Sequence, residues 1–196
     1  YELFLKKEIV SVRGDIQLLE KPEAAKNRSI VTTPSEVVKE IVKKTVEMPL
    51  EGKDVSSLKQ LKIADICCGS GSFLLAAYQS LLDFTLNWYI ANNPDNFKEK
   101  IYKGEEDLWY LHLNEKREIL LNTIYGGDID ANAVQVTKFG LLIKLLENEN
   151  QQTIVEYNSS HSDKALPELE SNIKAGNSLI DSNFFNFRKA SSLPNE

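Results

Sequence analysis

An apolar run, Leu61-Lys62-Ile63-Ala64-Asp65-Ile66, passes directly into Cys67-Cys68-Gly69-Ser70-Gly71-Ser72-Phe73, and from there into a long apolar pattern with Leu74, Leu75, Ala77, Tyr78, Leu81 and Leu82. Strand, tight glycine turn and helix follow one another without a linker, which is the repeating unit of parallel sheets flanked by helices. Glycines in such a turn let the backbone come close to a ligand at the start of the helix. The dinucleotide pattern needs a third glycine where this chain has Leu74, and the phosphate-binding loop needs a Gly-Lys-Ser/Thr that is absent, so both are disfavoured. Small side chains at Cys67, Cys68, Ser70 and Ser72 leave space for a bulky uncharged group such as adenosine. The plainer alternative is a tight turn with no ligand.

A second unit follows the same plan. Thr123 to Ile129 reads as a strand ending in Asp128, and a helix from about Ala131 to Glu147 carries Val134, Val136, Phe139, Leu141, Leu142, Leu145 and Leu146. A carboxylate at the end of such a strand can accept both hydroxyls of a ribose, which makes Asp128 the ribose candidate; Asp130 is better placed to cap the helix. The simple rule puts the ribose acid about 20 residues after the glycine turn, and Asp83 lies closer to that interval than Asp128 does. Asp83, however, is inside an apolar helical run, and residues 79–122 read instead as a helical insertion after the first strand-helix unit. A third strand, Ser171 to Ala175, runs into Gly176-Asn177-Ser178-Leu179-Ile180. The amide of Asn177 offers both donor and acceptor to an adenine edge, although Gly-Asn is also an ordinary turn.

Thr33-Pro34-Ser35-Glu36 signals a helix start, with Thr33 as cap, Pro34 in the first turn and Glu36 closing a capping box. Val37, Val38, Ile41, Val42, Thr45 and Val46 continue it to about Met48, where Pro49 is expected to stop it. Residues 1–31 are expected to form an arm or a short helix, residues 32–190 the core, and residues 191–196 a polar tail. Leu108 to Leu121 reads as helical, and residues 147–170 read as a polar surface loop with a short strand at Thr153-Ile154-Val155. His112 and His161 lack any partnering pattern and are assigned to the surface or to packing.

With 196 residues, 42% of them hydrophobic, the chain suffices for one sizeable core. A net charge of -6 argues against strong nonspecific binding to nucleic acid by this chain alone. No apolar run is long enough to cross a bilayer and no secretory signal pattern is seen, so the cytoplasm is the expected compartment. The adjacent pair Cys67-Cys68 suits neither an ordinary disulfide nor a zinc site, and no metal is expected. The chain starts without Met and ends on polar Ala190-Ser191-Ser192-Leu193-Pro194-Asn195-Glu196, which suggests a piece of a longer protein.

Together these blocks resemble the adenine-N6 DNA methyltransferases of restriction-modification systems, a branch of the class I amino-methyltransferases. Asp65 followed by the Cys-Gly-Ser-Gly-Ser-Phe turn is similar to that family's first motif. Thr32-Thr33-Pro34 is similar to the start of the helix before it, and Gly176-Asn177-Ser178-Leu179 to a later motif. The resemblance implies a Rossmann-like methyltransferase fold with its parallel sheet incomplete, and S-adenosylmethionine as cofactor. Thr33 would meet the methionine end, Asp65 and Gly69 to Gly71 would line it, and Asp128 would take the ribose. The cofactor-binding candidates are Thr33, Asp65, Cys67, Gly69, Gly71, Asp128, Ile129 and Asn177. The family's catalytic Asn-Pro-Pro-Tyr does not occur in the sequence; Asn93-Pro94-Asp95 is a near match in the wrong interval. No catalytic residue is therefore assigned. DNA would be engaged through other parts of the enzyme, with a restriction or specificity domain or subunit as a further partner, and this chain alone is expected to be inactive. An amino-methyltransferase acting on RNA or on a protein glutamine, or a non-catalytic cofactor-binding module, are the alternatives.

Overall fold

The computed structural model describes residues 7–12, 15–20, 33–104, 107–160 and 164–180, in two compact units, Tyr1–Val38 and Lys39–Glu196. In the first unit β1 (Lys7–Val12) and β2 (Asp15–Glu20) pair antiparallel, with Ile9 opposite Leu18 and Val12 opposite Asp15. This segment is therefore a hairpin, not the short helix offered as one option from sequence.

The division into units falls within α1 (Ser35–Val42). Its first turn is closed from the Pro34 carbonyl, which accepts from Val37 N at 2.9 Å and Val38 N at 3.1 Å, so the helix begins one residue later than a cap at Thr33 predicts. Beyond α1 the backbone widens into a π turn, Lys43–Glu47, and ends in a last turn, Met48–Leu50. Pro49 thus lies in the last turn, and the helical path ends one residue later, at Leu50. The π turn moves the donor of Met48 to the Lys43 carbonyl. Val42, Val46 and Leu50 are buried along it.

A short 3-10 turn, Val55–Gln60, leads into β3 (Ile63–Asp65), the glycine turn and α2 (Ser72–Ala91). The interval down to residue 122 is not purely helical. It contains β4 (Ile101–Lys103) and β5 (Trp109–Leu111), an antiparallel pair in which Tyr102 faces Tyr110 with stacked rings 5.7 Å apart. Helix α3 (Leu113–Thr123) therefore starts later than the sequence reading from Leu108. His112 sits at its start, its ring 4.9 Å from that of Tyr102.

β6 (Ile124–Asp128), α4 (Ala131–Leu145), α5 (Gln151–Ser160) and β7 (Ile173–Ala175) complete the described chain. Helix α5 replaces the strand expected at Thr153 to Val155. Asn150 Oδ1 accepts from Thr153 N at 3.0 Å, while Thr153 Oγ1 accepts from Asn150 N at 3.1 Å. That reciprocal cap outweighs the strand preference of the β-branched Thr153, Ile154 and Val155.

The sheet has the order β3-β6-β7, all parallel, with β6 central. The fold is accordingly α/β and Rossmann-like, a partial parallel sheet with helices against it. Leu74, Tyr78 and Leu81 of α2, Ile124 of β6, Val134, Leu141 and Leu145 of α4 and Ile173 of β7 form its core, each at most 1% exposed. Helix α2 approaches β6 so closely that a Cβ on Gly126 would lie 2.6 Å from Leu74 Cδ1. Among the described residues no helix is long and apolar enough to cross a membrane.

Candidate functional site

Parallel pairing puts the carboxyl ends of β3, β6 and β7 at one edge, and short hydrogen bonds tie the three following loops together. Cys68 N donates to Gly127 O at 3.0 Å and Gly176 N to Asp128 O at 2.9 Å. Ser178 Oγ donates to Ile66 O at 2.8 Å. Candidates from three separate sequence motifs thus meet in one place: Asp65, Cys67, Gly69 and Gly71 after β3, Asp128 and Ile129 after β6, and Asn177 after β7. Thr33 belongs to the other unit.

In the glycine turn the backbone is left-handed at Gly69, with φ +52°, and at Gly71, with φ +83°, where a side chain is strained. Gly71 N closes the turn onto Cys68 O at 2.8 Å. Asp65 Oδ1 accepts from Cys67 N at 3.1 Å, so this carboxylate also holds its own turn. Across the sheet, Asp128 Oδ2 accepts from Gly69 N at 2.8 Å and Oδ1 from Asp130 N at 2.9 Å. Each of these oxygens has a second lone pair, so the carboxylate can still accept two hydroxyl groups. The turn beside it is open, since a Cβ built on Gly69 would meet nothing within 4 Å. Asp130 caps α4 as expected, accepting from Asn132 N at 2.8 Å.

Around this acceptor the edge is apolar and uncovered. Ile66 is 58% exposed, Ile129 76% and Leu179 86%. Asn177 is exposed, with its Oδ1 accepting from Leu179 N at 3.0 Å. Two cavities, of about 430 and 350 Å³, lie by contrast against the insertion, one beside Tyr102, His112 and Tyr157, the other beside Trp88, Tyr89 and Phe97. A carboxylate with spare lone pairs, an open glycine turn and a bare apolar rim suit a ribonucleoside; those cavities lack that combination. Among the described residues no cluster of His, Cys, Asp and Glu could hold a metal ion.

Two residues of the site escaped the sequence reading. Thr137 of α4 is fully buried and donates from Oγ1 to Gly69 O at 2.9 Å; its only sequence signal is a polar residue on the inner face of an apolar helix. Ser178 supplies the tie from the β7 loop to Ile66.

The two cysteines differ sharply. Cys67 is exposed and Cys68 buried. Burial pushes the Cys68 thiol up to about 11, and the charges of Asp65 and Asp128 push the same way. At pH 8 its reactive thiolate is then roughly one molecule in a thousand. Iodoacetamide at that pH is expected to label the folded chain once, at Cys67, as read by peptide mass spectrometry. Labelling of Cys68 at a comparable rate would mean that the turn opens readily.

Comparison with known proteins shows the family. A family model described as MmeI, DNA-methyltransferase domain, matches residues 46–187. The chain is 40% identical over 183 residues to the type II restriction enzyme and methyltransferase RM.Eco57I of Escherichia coli, covering 93% of this chain and 17% of that protein. It is 32% identical over 129 residues to a putative type II restriction enzyme and methyltransferase of Methanocaldococcus jannaschii, RM.MjaORFECS2P, covering 64% of this chain and 9% of that protein.

Proposed function

Since the chain belongs to the MmeI DNA-methyltransferase domain family, we propose that it forms the S-adenosylmethionine-binding part of a restriction-modification methyltransferase that modifies the N6 amine of adenine in DNA. The observation that carries the reading is the Asp128 carboxylate, 2.8 Å from the amide of Gly69 at the carboxyl edge of the sheet. One group there can grip a nucleoside's hydroxyls while the glycine turn leaves room for the rest.

In this reading Asp128 accepts the two ribose hydroxyls. Gly69 to Gly71 let the backbone lie against the methionine part, lined by Asp65 and Cys67. The uncovered side chain of Ile129 covers one face of the adenine, which gains by burying apolar area, and the Asn177 amide meets its edge. Thr33 is assigned to the methionine end from the resemblance of the Thr-Pro motif. When bound, the cofactor supplies an electrophilic methyl group on a sulfonium centre. A neutral amine attacking such a centre needs alignment more than a strong base, which fits a chain in which no general base is assigned.

The target base must leave the helix stack to reach such a site, and the residues that hold it belong to the longer protein, which also contacts DNA. Support for adenine is the first-motif turn together with the Thr-Pro helix start. A restriction nuclease activity in the same polypeptide is proposed from the double description of both relatives.

Two measurements test the reading. Isothermal titration of this chain with S-adenosylmethionine is expected to show one site per chain. Methylation of unmodified DNA by the intact protein, followed by nucleoside mass spectrometry, is expected to yield N6-methyladenine. N4-methylcytosine in its place would overturn the choice of base while keeping the cofactor.

A further inference from the structure

Gly69 is held at both ends by the neighbouring strand-helix unit. Its N–H donates to Asp128 at the end of β6, and its carbonyl accepts from Thr137 Oγ1 on α4. The two ties differ in exposure. Asp128 is half-buried, with lone pairs open to the candidate site, whereas Thr137 is fully buried. Thr137 also packs on the second glycine of the turn: a Cβ on Gly71 would lie 2.7 Å from Thr137 Cγ2 and 2.8 Å from its Oγ1. One side chain therefore touches both left-handed residues.

A ribose arriving at Asp128 takes the second lone pairs of the carboxylate that also accepts from the Gly69 amide. The turn then shares the tie on its ligand side. We propose that Thr137 is a positioning residue that keeps the glycine turn in its binding shape while Asp128 accepts ribose hydroxyls beside the Gly69 amide. The hydroxyl fixes the Gly69 carbonyl inward, which leaves the other side of the turn free for the ligand, and the methyl group fills the space that Gly71 leaves. Thr137 acts through the turn and touches no ligand itself. The role rests on Asp128 as ribose acceptor, and its test separates the two.

Two variants of this chain divide the side chain's functions. Thr137→Val keeps the shape and removes the donor; Thr137→Ser keeps the donor and removes the methyl group. Three quantities are read for each: amide hydrogen exchange of residues 68–72 without ligand, affinity for S-adenosylmethionine by calorimetry, and melting temperature. Loss of one half-buried hydrogen bond predicts for Thr137→Val exchange and cofactor dissociation constant both raised by roughly fivefold to tenfold. Thr137→Ser is expected to bring both back to within about threefold of the parent. Unchanged exchange in Thr137→Val, or faster exchange with unchanged affinity, overturns the proposal. So does a result in which both variants lose affinity only in step with melting temperature, the mark of a plain packing residue. If the parent chain itself binds no cofactor, the Asp128 reading fails, and exchange alone decides whether Thr137 holds the turn.

Discussion

Lys116→Met is expected to lower the unfolding free energy by about 3 to 5 kcal/mol, the range for stripping one partner from a buried ion pair. Lys116 lies on α3 with its side chain 8% exposed, and its Nζ reaches Glu149 Oε1 at 2.5 Å and donates to Glu147 O at 2.8 Å. The Glu149 side chain is 2% exposed. Without the ammonium group, a carboxylate is left in a site that water does not reach. The pair joins the insertion to the segment after α4, and the Tyr78 hydroxyl of α2 donates to the Lys116 carbonyl at 2.9 Å. Two helices and the segment after α4 thus meet at this residue.

For a chain of this size such a loss moves the melting temperature by on the order of 10 °C, measured by circular dichroism. The double variant Lys116→Met/Glu149→Leu is expected to recover much of it, because neither charge then remains buried. Equal losses in the single and double variants would show that the pair is not the cause. A pH signature accompanies it. Burial lowers the Lys116 pKa from its ordinary 10.5, against the pull of Glu149. Just below pH 10.5 the unfolded chain therefore holds more protons than the folded one, so the parent gains stability with rising pH relative to Lys116→Met.

How much of this was legible in the sequence depended on how local the cause was. The strand, turn and helix around Gly69 and Gly71 could be read because left-handed backbone demands glycine and the apolar periods on either side are clear. Asp130 could be read as a cap from its place at a helix start. The β4-β5 pair could not: three-residue strands carry too little alternation to register, and Ile101 and Leu111 are buried only because tertiary packing covers them. At Thr153 to Val155 strand preference was the stronger visible signal, yet the cap from Asn150 decided the outcome. The end of the first helical path near Met48 could be read from Pro49, and the path stops at Leu50. Thr137 was illegible because its significance lies in a contact with Gly69, 68 positions away in the chain.

Asp128→Ala is expected to weaken S-adenosylmethionine binding by about 100-fold or more. Hydrogen bonds to a charged acceptor contribute roughly 1.5 to 3 kcal/mol each, and two ribose hydroxyls lose theirs together, so even the low end gives about two orders of magnitude. The same substitution frees the Gly69 and Asp130 amides, which the carboxylate holds at 2.8 and 2.9 Å, and the turn it leaves is less well shaped for the ligand. Asp128→Asn retains one acceptor oxygen in the same shape and is expected to fall between parent and alanine variant. Asp130→Ala provides the contrast, because that side chain caps α4 through Asn132 N and nothing else in the site depends on it; it is expected to cost about 1 kcal/mol of stability and leave affinity within about threefold. Calorimetric titration of all three variants, each shown by circular dichroism to be folded at the working temperature, reads the outcome. Parent-like affinity in Asp128→Ala would remove this carboxylate from the site, and with it the reason for reading the carboxyl edge as a nucleoside pocket. The opposite order, with Asp130→Ala the weaker binder, would instead move the ribose to the helix cap.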